Sequence, residues 1–354
     1  MKYLKLGPIK IPYGVETEGK EKKLKLFGLS IPFSDFEKNG KKYYKIYGIS
    51  FWIPGQKKML IPQAAINYQK RDQMDEKARI EVASRMFEEK VGYPLNLEDP
   101  KTFNEKIFWL KFYYHDPLIT RCCDKYAVKD YVTEKIGPGH VVPTIRTWER
   151  PEDIDLSGLP DRYVVKVNWS SGYNIIVKDR TKADEKAICE KLAYWMRPEQ
   201  NSYYQSFNWG YKDMKPVAYA EEYMEQIDGQ LYDYKFYCCK GQIKYFMIAT
   251  DRAQEGQLTY NYFDMDFNPM DLFSGTGKHT QVKLEKPRFF DEMVKTAEIL
   301  SEPFPFVRVD FYETSEGYYV GEMTFYCGGG LLKIQPLEWA YKLGSYIELP
   351  EKRV

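Results

Sequence analysis

The stretch that most constrains the fold of this chain is "VRVDFYETSEGYYVGEMTFY", residues 307–326. Two alternating runs flank a short polar segment with a glycine, a pattern typical of a β-hairpin. Successive strand residues face opposite sides, so Arg308 and Asp310 share one face, as do Glu322 and Thr324. A hairpin that carries two carboxylates and a guanidinium side by side in an aromatic-rich setting indicates a charged functional site.

The hairpin register predicts which of these side chains meet. We place the turn at Ser315–Gly317, with the glycine in the left-handed position of a three-residue loop. Asp310 then lies opposite Glu322, and Arg308 lies opposite Thr324. Because like charges directly opposite each other are destabilising, the two carboxylates favour a divalent cation between them, and oxygen ligands favour Mg²⁺. The alternative is that both acids point to solvent or pair with lysines.

A second signal is the segment "YVVKVNWSSGYNIIV". Lys166 lies in its first apolar run, and Ser170, Ser171 and Gly172 form a turn before the second run. Small residues let backbone N–H groups approach phosphate oxygens closely. The pattern favours a phosphate-binding loop with a lysine beside it, although a lysine in a strand can equally face solvent.

A third signal is "VAYAEEYMEQIDGQ", an apolar strand that runs into a polar segment. Its Glu221, Glu222, Tyr223 and Met224 could form a hinge whose backbone groups pair with the edge of adenine. A nearby glutamate would then take the ribose hydroxyls. The same residues are also those of an ordinary strand end, so this segment alone is a weak indication.

The organisation of the chain predicts more than one lobe, because 354 residues exceed a typical single domain. Lys5, Lys25 and Lys45 each lie in a short alternating run that contains a glycine and is closed by a proline. This repeat predicts a module of β-hairpins over residues 1–60. Helical and strand patterns then mix without strict alternation, so we expect an α+β fold with mostly antiparallel sheets.

Charge and composition narrow the cellular setting. Residues 1–60 hold 13 lysines against 5 acids, although the net charge of the whole chain is +1. This basic segment could contact an acidic polymer, anionic lipid or nucleic acid, or it could be a lysine-decorated sheet. No apolar run is long enough to span a membrane, and no apolar signal segment opens the chain, so we expect cytoplasmic residence. The six cysteines lack C-x-x-C spacing, which argues against zinc and predicts reduced thiols.

The order of these signals resembles that of the ATP-grasp superfamily, and within it the TupA-like group found in bacterial surface-polysaccharide gene sets. The resemblance covers about residues 95–335 and is carried by "DPKTFNEKIFWLKFYYHDPLITRCCDKYAVKDYV", "DYKFYCCKG" and "GEMTFYCGGG". It implies an ATP-grasp fold, in which two α+β lobes clamp ATP, with the N-terminal β-hairpin repeat module outside it. The implied division is a basic β-repeat module at 1–60, a helical part of the core at 61–150, a lid subdomain with the phosphate loop at 151–225, and a C-terminal core with the metal site at 226–354.

The resemblance also implies roles for individual residues. Lys166 and Lys129 would bind the ATP phosphates from opposite sides, with Lys125 as a substitute for Lys129. Thr324 stands where many ATP-grasp enzymes have asparagine, which leaves open whether one or two Mg²⁺ ions bind. The implied residues are Arg308, Lys235 and Arg252 for catalysis or substrate binding; Lys125, Lys129, Lys166, Ser170, Ser171, Gly172, Tyr173, Glu221, Glu222, Tyr223 and Met224 for ATP; and Asp310, Glu322 and Thr324 for Mg²⁺.

The function that the resemblance implies is an ATP- and Mg²⁺-dependent carboxylate–amine ligase. A uronic-acid-type carboxylate on a glycan or nucleotide sugar would form an acyl phosphate, which an amino acid or small amine then attacks. Three alternatives stay open: a kinase that phosphorylates a sugar hydroxyl of a glycan, a polysaccharide glycosyltransferase, and a non-catalytic carbohydrate-binding protein. We expect residence in the cytoplasm or contact with the inner face of the membrane, and no nucleic-acid partner.

Overall fold

The computed structural model describes residues 63–169, 171–224, 232–250, 259–275 and 284–354, together with strand backbones between residues 2 and 52. The N-terminal strands pair antiparallel in chain order. They are β1 (Lys2–Leu6), β2 (Ile9–Glu18), β3 (Glu21–Leu26), β4 (Leu29–Lys38), β5 (Lys41–Ile46) and β6 (Ile49–Trp52). Their grouping into a separate basic module, like the other predicted domain boundaries, stays a prediction.

Helices and strands mix along the rest of the chain. The helices are α1 (Gln63–Arg71), α2 (Glu76–Val91), α3 (Phe103–Tyr113), α4 (Pro117–Cys123), α5 (Val128–Ile136), α6 (Glu185–Trp195), α7 (Tyr203–Ser206), α8 (Phe290–Ser301) and α9 (Leu337–Ser345). The strands are β7 (Thr144–Trp148), β8 (Tyr163–Val167), β9 (Asn174–Val177), β10 (Ala218–Glu222), β11 (Asp233–Cys239), β12 (Gln242–Thr250), β13 (Thr259–Phe263), β14 (Phe273–Ser274), β15 (Val307–Glu313), β16 (Tyr318–Thr324) and β17 (Ile334–Gln335).

Two antiparallel sheets carry most of the predicted site residues. One has the order β7-β10-β8-β9, and the other has the order β13-β12-β11-β15-β16. Helix α8 buries Phe290, Met293 and Ala297 and packs on β11, β12 and β15 of the larger sheet. The predicted α+β class with mostly antiparallel sheets is therefore confirmed. None of the helices in these described ranges has the length and hydropathy of a membrane span.

The predicted helices exist, but their details differ. Helix α2 ends at Gly92 in the left-handed conformation, as the glycine predicts. The spacing of Met74, Ala78, Val82 and Met86 predicts an apolar stripe along this helix. That stripe is only half-buried, while Ala83 and Phe87 are fully buried. The buried stripe is therefore rotated by about one residue from the predicted one.

The segment "CCDKYAVKDYVTEKIGPG" predicts a helix from about Asp124 to Ile136, but α5 begins four residues later, at Val128. The Asp124 carboxylate accepts hydrogen bonds from the backbone N–H groups of Tyr126 and Ala127, at 2.8 and 3.0 Å. This local bond competes with helix formation, as aspartate side chains commonly do. Lys125 consequently lies in a turn between α4 and α5, whereas Lys129 lies in the first turn of α5.

The hairpin of β15 and β16 has the predicted register at its charged end. Arg308 pairs with Thr324, and Asp310 pairs with Glu322. Near the turn the register is shifted by one residue, because a bulge follows Asp310 and leaves Gly321 without a partner in the ladder. The correct pairing of the two acids therefore rests on a bulge that the sequence did not reveal.

The predicted turn is wrong in its geometry. Glu313 pairs with Tyr318, and the Thr314 N–H donates to the Gly317 carbonyl at 2.8 Å, so two residues rather than three cross over. Gly317 does not adopt the left-handed conformation. The shorter loop and the bulge offset each other, which is why the register is right at Asp310 and Glu322.

Candidate active site

The charged side chains gather in two clusters. The hairpin cluster comprises Lys125, Asp233, Lys235, Arg308, Asp310, Glu322 and Thr324. The strand-lysine cluster comprises Lys129, Lys166 and Glu221. Members of each cluster come from distant parts of the chain, so the fold itself assembles them.

Arg308 organises the hairpin cluster. Its Nε and Nη2 atoms donate to the two Asp310 carboxylate oxygens at 2.6 Å each, a bidentate pairing. The same Nη2 atom lies 3.2 Å from Glu322 Oε1 and 3.0 Å from Thr324 Oγ1. One guanidinium nitrogen therefore contacts all three predicted metal ligands, which places their oxygen atoms around one point.

Lys235 joins the cluster from the neighbouring strand. It lies opposite Asp310 in the β11–β15 ladder, and its ammonium group contacts the Asp310 carboxylate. The same Nζ atom lies 3.2 Å from Asp233 Oδ2 on its other side. Asp233 is buried and was missed by the sequence reasoning, although its i, i+2 spacing to Lys235 puts both on one face of β11.

Lys125 reaches the hairpin from the turn before α5. Its Nζ atom pairs with Glu322, across 197 residues of sequence. Burial alone would raise the pKa of Glu322, but the charges of Lys125, Lys235 and Arg308 hold it well below the usual carboxyl range. Lys125 is therefore bound to the predicted metal ligand, whereas Lys129 pairs with Glu221, and the implied phosphate-binding role of Lys125 stays a prediction.

The strand-lysine cluster centres on Glu221. Its two carboxylate oxygens pair with Lys166 and, at 2.9 Å, with Lys129. Lys129 also donates to the Val142 carbonyl and the Thr144 hydroxyl, at 2.8 Å each. Burial would raise the pKa of Glu221, but the two lysines outweigh it and hold that pKa below its ordinary value.

Tyr219 connects the two clusters. Lys129 Nζ lies 5.1 Å from the centre of its ring, and its hydroxyl lies 3.4 Å from the Lys125 carbonyl. Burial raises the pKa of Tyr219 well above 10, and the charges of Glu221 and Glu322 add to this. The charges of Glu221 and Glu322 thus both act on Tyr219, so the two clusters are neighbours within one site.

Two cavities open on the hairpin cluster, with volumes of about 300 and 420 Å³. Both are lined by Ser171, Arg308, Glu322 and Gly328. The loop after β8 therefore faces the hairpin across one continuous cleft. This is where the sequence predicted a phosphate loop, of which Ser170 lies outside the described residues.

The remaining loop residues have different surroundings. Gly172 has a φ of 77°, which a residue with a side chain rarely adopts. Tyr173 stacks on Trp195 at 5.0 Å and donates from its hydroxyl to Gln200 at 2.8 Å. The side chain of Tyr173 therefore anchors the loop to α6.

The predicted adenine hinge follows β10. Glu222 is exposed, and its backbone N–H donates to the Pro143 carbonyl at 3.1 Å. Tyr223 and Met224 are half-buried, and the Arg162 guanidinium lies 4.1 Å from the centre of the Tyr223 ring. The side chain of Glu221 faces Lys129 and Lys166. Arg252 lies outside the described residues.

A glycine wall closes the cleft behind Glu322. Gly328, Gly329 and Gly330 all have positive φ values, 54°, 64° and 68°. Lys111 and Asn104 on α3 donate to the carbonyl oxygens of Gly329 and Gly330. The fully buried lysine thus fixes a segment that the sequence marked only as "GGGLLK".

The donor set fits Mg²⁺ bound together with a nucleotide. In the part of the chain that the structure describes, no group of three or more His, Cys, Asp or Glu side chains forms a complete metal site. Asp310, Glu322 and Thr324 supply two carboxylates and a hydroxyl, and Mg²⁺ usually takes one or two carboxylates and completes its shell with phosphate oxygens and water. Burial raises the pKa of the nearby Cys327 thiol to about 11, so this cysteine stays neutral.

Comparisons with solved structures show only distant likeness. The chain is similar to D-alanine–D-alanine ligase from Bacillus anthracis complexed with ATP, at 15% identity over 58% of this chain and 55% of that one, with a TM-score of 0.34. It is also similar to an L-amino acid ligase from Bacillus licheniformis, at 15% identity over 73% of this chain and 55% of that one, with a TM-score of 0.36. The chain thus spans just over half the length of these structures.

A match to a protein family is more specific. Sequence comparison with curated proteins finds no match. The sequence profile of the TupA-like ATPgrasp family matches residues 105–348, well over half of the chain. That span contains Lys125, Lys129, Lys166 and the whole β15–β16 hairpin. The chain therefore belongs to the TupA-like ATP-grasp family, and with it to the ATP-grasp class of ATP-dependent enzymes.

Proposed function

We propose that this protein is an ATP- and Mg²⁺-dependent carboxylate–amine ligase of bacterial surface-polysaccharide biosynthesis. Its acyl donor is a uronic-acid-type carboxylate on a glycan or nucleotide sugar, and its acceptor is an amino acid or small amine. The observation that carries the proposal is the pairing of Asp310 with Glu322 under Arg308, one tyrosine away from two lysines that converge on Glu221. The proposed setting is the cytoplasm or the inner face of the membrane.

The two clusters divide the work on ATP. Lys129 and Lys166 approach one point from two sides, an arrangement that suits the oxygens of a phosphate chain. The loop at Ser171–Tyr173 lies across the cleft and shields the phosphates from water. Glu222, Tyr223 and Met224 frame the adenine and ribose. Each of these roles is part of the proposal.

The hairpin cluster handles the transferred phosphoryl group. Asp310, Glu322 and Thr324 would hold Mg²⁺, which would supply positive charge to the phosphate oxygens of ATP. Arg308 and Lys235 stabilise the charge on the γ-phosphoryl group while the substrate carboxylate attacks it. The amine then attacks the carbonyl carbon of the acyl phosphate, so that an amide forms and inorganic phosphate departs.

The smaller cavity fits the acyl donor. It adjoins Arg308 and Glu322 and is walled by Tyr237, Tyr245 and Tyr262. Burial raises the pKa of Tyr262 to about 12 and those of the other two tyrosines well above 10, so all three phenols stay neutral. Neutral aromatic walls with hydroxyl tips suit a polyhydroxylated ring better than a second charged group.

The experiment that tests the function traps the acyl phosphate. The protein is incubated with ATP, Mg²⁺, hydroxylamine and a panel of uronic acids and UDP-uronic acids. A ligase gives ADP, inorganic phosphate and a hydroxamate that mass spectrometry detects. A sugar kinase gives a phosphorylated sugar and no hydroxamate, which would overturn the proposal. The Asp310→Asn variant controls for contaminating ATPases and is expected to give neither product.

A further inference from the structure

We propose that Lys125 and Lys235 are specificity-determining residues that make the metal site accept Mg²⁺ with a nucleotide and reject the free ion. The inference rests on the proposed assignment of Asp310 and Glu322 as metal ligands. It concerns what the lysines do to that site, a role that neither the sequence signals nor the family match assigns.

Each of the two proposed metal-binding carboxylates is paired with an ammonium group of the protein. Lys235 contacts Asp310, and Lys125 contacts Glu322. Asp310 and Lys235 are buried, and the Lys125 and Glu322 side chains are 17% and 28% exposed. A cation that binds either carboxylate must therefore displace a lysine from a poorly hydrated position, where charge pairs are strong.

The hairpin cluster is balanced in charge. The hairpin cluster has three carboxylates, on Asp233, Asp310 and Glu322, and three cations, on Lys125, Lys235 and Arg308. A free divalent ion would add two uncompensated charges to this balanced group. A metal–nucleotide complex brings its own negative charge, and its phosphates give the displaced ammonium groups new partners. The cluster should therefore discriminate strongly between the two forms of the metal.

Lys125 holds Glu322 Oε2 and Lys235 holds Asp310 Oδ2, and on these two oxygen atoms a metal would replace an ammonium group. Lys235 has a second carboxylate, Asp233, at 3.2 Å, which can hold its charge after it leaves Asp310. Lys125 lies in a turn and reaches Glu322 from outside the sheet. Arg308 instead makes a bidentate pair with Asp310 from the same strand. A metal that binds Asp310 Oδ2 and Glu322 Oε2 therefore displaces both lysines and the Arg308 Nη2 contact with Asp310, while Arg308 Nε keeps Asp310 Oδ1.

The test measures metal binding directly, without turnover. Mn²⁺ serves as the probe, and free Mn²⁺ is quantified by electron paramagnetic resonance while the protein is titrated with and without the non-hydrolysable analogue AMP-PNP. We expect the unaltered protein to bind Mn²⁺ only when AMP-PNP is present. Lys125→Met and Lys235→Met should each bind Mn²⁺ without nucleotide, with affinity raised on the order of tenfold or more.

Lys129→Met is the matched comparison, because it removes a half-buried lysine of the neighbouring cluster that does not touch Asp310 or Glu322. Its Mn²⁺ affinity without nucleotide should stay within about threefold of the unaltered protein. Circular dichroism confirms that each variant is folded. If one of the variants Lys125→Met and Lys235→Met does not fold, the other still tests the inference.

Three outcomes overturn the inference. One is stoichiometric Mn²⁺ binding by the unaltered protein without nucleotide that Asp310→Asn abolishes. The second is the absence of any gain in both Lys125→Met and Lys235→Met. The third is an equal gain in Lys129→Met. The proposed ligase function is tested independently of this inference. Hydroxamate formation can be absent while the Mn²⁺ titrations give the expected result, and it can be present while they do not.

Discussion

The two clusters use the same residue types with opposite charge balance. The strand-lysine cluster has two lysines on one glutamate and so carries a surplus positive charge. The hairpin cluster has as many carboxylates as cations, and two of its carboxylates are adjacent. We therefore expect the first arrangement to favour an anion, and the second to accept a cation only together with an anion. The difference teaches that the balance of a cluster, more than its composition, decides which ligand it accepts.

The largest effect is expected from a substitution that removes a carboxylate from the hairpin cluster. Asp310→Asn should lower ATP-dependent turnover on the order of 10³-fold, because the metal loses a ligand and Arg308 loses its bidentate partner. Single-turnover phosphate release measures this loss. Glu316→Gln, an exposed acid in the turn of the same hairpin, is the matched control and should keep full activity. Equal activity in the two variants would contradict the site assignment.

The next effect breaks the strand-lysine cluster. Glu221→Gln leaves Lys129 and Lys166 without their shared carboxylate, and breaking a buried pair of this kind costs about 3 kcal/mol. Urea unfolding of the variant and the unaltered protein measures the loss. AMP-PNP should restore more stability to the variant than to the unaltered protein, since its phosphates can replace the missing carboxylate. A loss that AMP-PNP does not recover would show that these lysines do not face the nucleotide.

The hairpin that carries the metal ligands depends on its bulge. A Cβ atom on Gly321 would lie 2.4 Å from the Tyr312 ring, so Gly321→Ala should destabilise the fold by about 1–3 kcal/mol. Gly317→Ala is the control in the same hairpin, because no heavy atom lies within 4 Å of its Cβ position. That substitution should change the free energy of unfolding by less than about 0.5 kcal/mol. Equal losses from both substitutions would contradict the bulged register.

Interactions between residues close in sequence could be predicted, whereas interactions between distant segments could not. The place of Lys166 in a strand and the pairing of Asp310 with Glu322 follow from strand alternation, and both predictions are confirmed. The turn and bulge are wrong in detail because two one-residue shifts cancel in the register. Contacts across the fold escaped the sequence altogether. The Lys125 pair with Glu322 spans 197 residues, and the Lys235 pair with Asp310 spans 75.

The smallest expected effect is a pH dependence that separates the clusters. Lys125, Lys235 and Arg308 hold the folded-state pKa of Glu322 well below the value of about 4.3 that an unfolded chain gives it. A depressed carboxyl pKa contributes stability that is present above the unfolded value and is lost as the pH falls through the folded value. Glu322→Gln should therefore flatten the acid side of the stability curve.

Urea unfolding between pH 3 and pH 7 measures this dependence in both proteins. The difference in free energy of unfolding should be constant above about pH 5 and shrink as the pH falls below about 4. A nucleotide analogue bound with Mg²⁺ displaces the lysines from Glu322 but supplies the metal in their place, so the same acid dependence should persist in the complex. A difference that stays constant down to pH 3 would mean that Glu322 has no charged partners in the folded protein. The contrast in charge balance between the hairpin cluster and the strand-lysine cluster would then be wrong.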